Sequence, residues 1–194
     1  MSPEAIVIRL AGEFYQRHED NQVINDRIIL TDYTPEDASQ IFVLIRQNQN
    51  FFTHYDSPWT DKPKYNDLNI LIKSIQNHNN PNLHYFSIRN SQEEIIGGCQ
   101  INVIPKQKTA TIGYFIDEQH TRKRYASRAV ALLVAYATED LKLQKLTAFA
   151  NPENIGSVTT LERNGFEFTG IDPKNPTYHL YARSLPSVKL TDSH

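Results

Sequence analysis

Residues 112–166 read IGYFIDEQHTRKRYASRAVALLVAYATEDLKLQKLTAFANPENIGSVTTLERNGF, and the order of elements in this stretch decides the fold. Ile112-Gly113-Tyr114-Phe115-Ile116 reads as a buried strand. The segment 117–124 is a polar, basic turn without Pro or Gly, and it opens a helix. From Ala126 the apolar residues Ala129, Val130, Leu133, Ala137 and Leu141 recur at helical spacing, so the chain crosses back onto the sheet in parallel. Leu146 to Ala150 is a second strand. Asn151-Pro152-Glu153-Asn154 then leads into a short helix that Gly165 ends as a C-terminal cap, and a further strand starts between Phe166 and Phe168. The N–H groups in the first turn of the helix after the basic segment have no partner within the helix and lie at its positive end, so that turn suits a phosphate or pyrophosphate.

Outward from this stretch the pattern stays α/β. Arg27 to Asp32 reads as a strand; Thr34 is a good N-cap, Pro35 suits a first helical position and Asp37 a first turn, with Ala38, Ile41, Phe42 and Ile45 as the buried face. Residues 47–64 are rich in Asn, Asp, Pro and aromatics and read as a loop before a helical stretch over 65–76. His84 to Arg89 and Ile95 to Val103 form a hairpin across Asn90-Ser91-Gln92-Glu93, and Thr109 to Ile116 pairs next after a turn at 105–108. An antiparallel meander therefore feeds the crossover, and Tyr178, His179 and Tyr181 fall on the expected final strand. Near the start, Ile8, Ala11 and Tyr15 recur at helical spacing, so a short helix over 4–18 is expected, as cover for a sheet edge or as a dimer contact. No internal repeat or low-complexity segment interrupts the chain.

Composition narrows the function. At 194 residues, 39% hydrophobic and 22% charged, the chain can bury an ordinary globular core. A net charge of −2 argues against a dedicated nucleic-acid binder, while a basic turn on a near-neutral body suits a small anionic ligand. Cys99 lies in the apolar run from Ile95 to Val103 and reads as a buried core thiol rather than a nucleophile. The histidines are scattered without His-Glu-x-x-His spacing and no second cysteine supports a zinc site, so no metal is expected; no Gly-x-Ser-x-Gly elbow or Walker loop occurs. No apolar run reaches membrane-spanning length and no signal peptide is evident, so the expected location is cytoplasmic.

With these motifs in place the chain resembles the GCN5-related N-acetyltransferases (GNAT), and within them the RimJ/RimL-type group. Ile112 to Ile116 is similar to the family's central strand and Lys123-Arg124-Tyr125-Ala126-Ser127 to its acetyl-CoA loop. The segments Asn151 to Ser157 and Leu161 to Phe166 are similar to its second cofactor motif; Arg27 to Leu30, Asp37-Ala38 and Pro58-Trp59 match upstream. The resemblance implies a GNAT domain over 27–183, an N-terminal extension over 1–26 and a tail over 184–194. It implies an α/β (α+β) fold with a central mixed, mostly antiparallel twisted sheet, a V-shaped splay between two strands, and flanking helices. The family's cofactor loop is usually Gln or Arg, two variable residues, Gly, one variable residue, then Gly or Ala; here those slots hold Thr121, Arg124 and Ala126. If the glycine slot needs a left-handed backbone, Arg124 costs roughly 1–2 kcal/mol there. Arg122, Lys123 and Arg124 then read in three ways: as an obstruction to the pyrophosphate, as charge-assisted phosphate ligands, or as a solvated basic turn.

The resemblance further implies an acetyl-CoA-dependent N-acetyltransferase. The acceptor is a primary amine, such as the α-amine of a protein or peptide N-terminus or a small-molecule amine, attacking the thioester directly in a ternary complex. Its implied cofactor contacts are Tyr114, Phe115, Ile116, Arg122, Lys123, Arg124, Tyr125, Ala126, Ser127, Asn154 and Ser157, with a backbone N–H between Tyr114 and Ile116 holding the oxyanion. Ser157 is the implied proton donor to the thiolate; helix capping alone also accounts for Asn154 and Ser157. Glu118 and His120 are the candidate bases, and Tyr55 and Trp59 lie on the acceptor side, where core or lid packing is the competing reading. The alternative is a non-catalytic GNAT-fold binding or regulatory module with an altered cofactor loop. A homodimer is compatible with either.

Overall fold

The computed structural model describes residues 27–55, 67–76 and 80–186, together with the backbone of 7–8, 15–17 and 23–25. In chain order the strands are β1 (Val7–Ile8), β2 (Tyr15–Arg17), β3 (Val23–Asn25), β4 (Ile29–Asp32), β5 (Leu83–Arg89), β6 (Ile95–Ile104), β7 (Thr109–Ile116), β8 (Lys145–Ala150), β9 (Glu167–Ile171) and β10 (His179–Ser184). The helices are α1 (Ala38–Gln47), α2 (Gln49–His54), α3 (Leu68–Gln76), α4 (Tyr125–Glu139) and α5 (Ile155–Arg163). One open mixed sheet runs β1-β4-β5-β6-β7-β8-β10-β9, and β2 pairs with β3 apart from it. From β4 to β7 the pairing is the expected antiparallel meander; β8 joins β7 in parallel, because α4 carries the chain back, and β10 and β9 follow antiparallel.

Phe115 and Ile116 are neighbours on β7 but belong to different apolar clusters, so the clusters lie on opposite faces of the sheet. The larger is sealed by α4 through Ala129, Val130, Leu133 and Ala137, the residues whose spacing marks the helix in the sequence, and by Leu161 of α5. The smaller gathers Ile41, Leu44 and Ile45 of α1, Phe52 of α2 and Leu71 of α3 against Ile95 and Phe115. Cys99 is fully buried in the larger core, and burial pushes its thiol pKa up. Asp37 does more than begin a helix: a 3-10 turn, Pro35–Asp37, precedes α1. The buried Asp37 carboxylate ion-pairs with Arg89 and accepts from Ser87 Oγ at 3.1 Å, tying α1 to β5.

Two expectations change. In the described part of the loop expected over 47–64, residues 47–55, the chain forms α2, a short helix held by burial of Phe52 against Phe115 (rings 5.4 Å apart) rather than by a local capping signal. The following helix is described from Leu68, where Asp67 Oδ1 accepts the N–H groups of Asn69 and Ile70 at 2.7 and 3.2 Å; positions 65 and 66 of the expected stretch lie outside the described residues. Helix is expected over 4–18, but Val7–Ile8 is a strand paired with Leu30 and Thr31, and Tyr15–Arg17 is a strand paired with Val23–Asn25. For β1 the edge of β4 offers a β ladder, and β2 and β3 offer one to each other, which local helical spacing does not register. The remainder of that expectation lies outside the described residues. At the other end β10 continues to Ser184, and the buried Leu185 donates its N–H to Gln144 O at 2.8 Å, just past the expected boundary at 183. Among the described residues no helix is long and apolar enough to cross a membrane.

Candidate active site

The pairing of β7 with β8 runs from Thr109↔Lys145 to Ile112↔Ala148 and then stops, although β7 continues to Ile116 and β8 to Ala150. The strands therefore splay beyond Ile112, as expected. On its other side β7 stays paired with β6 to its end, and Asp117 N–H donates to Ile96 O at 2.9 Å. Strand alternation from that bond directs the N–H of Phe115 toward β6 and those of Tyr114 and Ile116 into the splay. The β6–β7 contact is tight: a Cβ on Gly97 would lie 2.3 Å from Phe115 O.

The splay opens into a cleft of about 660 Å3. Its floor is Tyr114, Phe115 and Ile116; one wall is Phe51, Phe52 and Tyr55 from α2 and its end, and the other is the 118–127 segment with α5. Of the residues singled out in the sequence, Tyr55, Glu118, His120, Arg122, Arg124, Tyr125, Ala126, Ser127, Asn154 and Ser157 all border this cleft with the floor residues. Lys123 is exposed and does not line it: its neighbours face the cleft and it faces solvent. Trp59 lies outside the described residues. Gly156, Thr159, Thr160 and Arg163 also line the cleft; Gly156 and Arg163 fall within the segments that resemble the second cofactor motif, whereas Thr159 and Thr160 lie between those segments and carried no expected role. Positions 156, 159, 160 and 163 recur three to four residues apart along one helix face, and that spacing is the signal that would have found the two threonines.

In the basic segment both Arg122 (φ 63°) and Arg124 (φ 62°) are left-handed, and Arg124 is the N-cap of α4 without a side-chain cap bond. The first full helical bond is Arg128 N–H to Arg124 O at 3.1 Å, and the turn above it, Tyr125 to Ser127, lines the cleft. Asn164 Nδ2 reaches both Ser127 O and Ser127 Oγ at 3.1 Å and Thr160 O at 2.9 Å, so the end of α5 pins the start of α4. Both arginine side chains are exposed at the rim, where a phosphate can meet them without displacing buried structure.

At the start of α5, Asn154 Oδ1 accepts the Ser157 N–H at 3.0 Å, the capping role. The Ser157 hydroxyl lies 3.0 Å from Tyr114 Oη, which also donates to Ser157 O at 3.2 Å, a contact across 43 positions of sequence. Burial pushes the Tyr114 pKa up, more than the bond to Ser157 pulls it down, so the phenol stays protonated and remains a donor. At the opposite lip His120 Nδ1 is 2.8 Å from Asp117 Oδ2, and Asp117 Oδ1 accepts from Asn48 Nδ2 at 2.8 Å. Asn48 Oδ1 in turn accepts the N–H of Glu118 at 2.7 Å. Asn48 and Asp117 drew no functional reading from the sequence, and with 69 positions between them no local pattern links them.

Residues 27–167 match the acetyltransferase (GNAT) domain family. The chain belongs to that family. It is an N-acetyltransferase, and acetyl-CoA is its co-substrate. This acetyltransferase is 32% identical over 146 residues to the probable N-acetyltransferase YjcK of Bacillus subtilis, covering 72% of the chain and 80% of that protein. It is also 32% identical over 104 residues to the ribosomal-protein-serine acetyltransferase of Escherichia coli, covering 50% of the chain and 58% of that protein. RimJ of Mycobacterium smegmatis, solved in complex with CoA-disulfide, shares the fold at a TM-score of 0.69 and 18% identity, over 81% of this chain and 82% of that one. The acetyltransferase's cleft suits the co-substrate chemically, with strand N–H groups turned into the splay, an uncapped helix start at Tyr125, and Arg122, Arg124 and Arg163 at the border.

Proposed function

We propose that the protein transfers the acetyl group of acetyl-CoA to the N-terminal α-amine of a protein or peptide, by direct attack in a ternary complex. The observation that carries the reading is the end of β7–β8 pairing at Ile112↔Ala148, which leaves the N–H groups of Tyr114 and Ile116 facing a cleft reached from both the α4–α5 side and the α2 side. Those N–H groups would hold the thioester carbonyl oxygen as it becomes an oxyanion. The backbone N–H groups of Tyr125 to Ser127 would hold the pyrophosphate at the rim that Arg122 and Arg124 border, and Asn154 would border the pantetheine arm. Exposure of both arginines at the rim, rather than burial in the floor, supports catalysis over a non-catalytic module.

In this reading the amine lone pair forms the C–N bond, the C–S bond breaks, a base takes the ammonium proton, and the thiolate takes a proton through the Ser157 hydroxyl, which regains one from water. Tyr114 orients that hydroxyl. An N-terminal α-amine titrates near ~7.7–8.0 against ~10.4 for a lysine, so an unperturbed base at neutral pH suffices for the former. Likeness to a ribosomal-protein-serine acetyltransferase supports a protein terminus as acceptor, and the Phe51, Phe52 and Tyr55 wall offers apolar contact to its first side chains.

The test is thiol release from acetyl-CoA with a panel of peptides bearing free or blocked N-termini, internal lysines, and polyamines. Turnover confined to free peptide N-termini is the expected result. Turnover with polyamines alone would move the acceptor to small molecules, and no turnover together with no acetyl-CoA binding would sink the transferase reading.

A further inference from the structure

We propose that His120 is the general base, and that Asp117 and Asn48 are positioning residues that fix its tautomer and aim it into the cleft. The inference rests on the acetyl-transfer reading above and names the base within it.

The hydrogen bonds leave little freedom. Asn48 is buried at the α1–α2 junction, with its Nδ2 donating to Leu44 O at 2.9 Å and to Asp117 Oδ1 at 2.8 Å while its Oδ1 accepts from Glu118 N–H at 2.7 Å. A side-chain amide that donates to a carbonyl and accepts from a backbone N–H can be placed only one way round. It therefore presents an N–H to one Asp117 oxygen and leaves the other, Oδ2, to face His120 Nδ1 at 2.8 Å. A carboxylate at that distance makes Nδ1 the donor, so Nε2 carries the lone pair. The ring is half-buried and borders the cleft, with Tyr125 beside it at 6.2 Å between ring centroids.

Two features separate this from an ordinary turn. Asp117 occupies the N-cap of the 3-10 turn Glu118–His120, where its carboxylate would ordinarily accept a backbone N–H, yet it makes no such cap bond and both oxygens go to side chains instead. Glu118 joins the network only through its N–H, and its side chain stays exposed. Asn48 also links the two lips of the cleft, since α2, which follows it directly, carries the Phe51, Phe52 and Tyr55 wall. The charged or titratable groups that share the cleft with His120 are Glu118, Tyr125, Arg122, Arg124 and Arg163, besides Tyr55 and Tyr114.

The experiment measures kcat and KM from pH 6 to 9 on a peptide with a free α-amine, and acetyl-CoA affinity by calorimetry, for the wild-type chain and for His120→Gln, Asp117→Asn and Glu118→Gln. His120→Gln is expected to lower kcat/KM by roughly 100-fold or more and to abolish the fall in rate on the acid side. Asp117→Asn, which keeps the shape of the turn, should lower kcat by roughly 10- to 100-fold with acetyl-CoA affinity unchanged. Glu118→Gln, whose side chain is exposed and outside the hydrogen-bond network, should keep the acid-side fall whatever its effect on the rate. The assignment is overturned if Glu118→Gln removes that fall, or if Asp117→Asn keeps kcat within about threefold of wild type. A wild-type chain that binds no acetyl-CoA would instead overturn the transferase reading on which the assignment stands.

Discussion

Arg122 and Arg124 hold left-handed backbone at the mouth of the cleft, a conformation that costs a side-chain-bearing residue about 1–2 kcal/mol. Arg124→Gly relieves that strain but loosens the unfolded chain, so urea melts should show a net gain of roughly 0.5–1 kcal/mol. Acetyl-CoA affinity should be unchanged or tighter in the same variant; a fall of about tenfold or more would make Arg124 a phosphate ligand in its own right. Across the splay the pair to probe is Ser157 and Tyr114. Ser157→Ala should lower kcat by roughly 10-fold while leaving acetyl-CoA binding within about threefold. Tyr114→Phe, which leaves the Ser157 hydroxyl in place without its phenolic partner, should give a smaller loss of kcat. Unchanged kcat in Ser157→Ala would remove the hydroxyl from the chemistry and leave it as part of the α5 start.

At the scale of elements the site depends on β7 keeping one side paired and one side open. Gly97 sets the paired side: a methyl group there meets Phe115 O, a backbone atom on β7 that cannot turn away as a side-chain tip can. Gly97→Ala should therefore push β6 and β7 apart, cost about 1–3 kcal/mol in urea melts, and lower kcat through displacement of the Tyr114 and Ile116 N–H groups. A substitution with no loss of stability would mean that the sheet flexes to accept it and that the register is softer than the contact implies. On the other wall, α4 and α5 act as one unit because Asn164 bonds to Ser127 and to its own helix, while Arg183 of β10 donates to Asn164 O. The phosphate-facing turn is thus braced from behind by the same helix that brings Ser157 to the floor.

For the whole molecule, burial raises the pKa of Cys99, Tyr85, Tyr114, Tyr136 and Tyr181 alike. Each favours the neutral form when folded, so its contribution is fully present below the unfolded pKa, about 8.5 for the thiol and about 10 for the phenols, and is lost as pH rises toward the folded value. The urea midpoint should hold steady near neutrality and drop between about pH 9 and 11, with Tyr114→Phe showing a shallower drop. An equal drop in both chains would show that Tyr114 is not the major contributor.

Some of these features are legible in neighbouring residues of the chain and others are not. Periodicity over 126–141, the meander strands, Asn154 as a cap and Gly165 just past a helix end (φ 70°) are written in neighbouring residues, because helix and strand spacing and capping act over a few positions. The family motif, read the same way, carried the splayed sheet and most of the cleft lining. By itself, then, the sequence determined the order of elements from β4 to β10 apart from α2, the parallel crossover and the family. Only the tertiary structure decided that α2 forms within the 47–64 stretch, that Lys123 turns away while its neighbours face the cleft, that Tyr114 meets Ser157, and that Asn48 holds Asp117 against His120. Each of these depends on sheet register and on helices packed over opposite faces, which bring together side chains 43 and 69 positions apart where no local pattern can signal the contact.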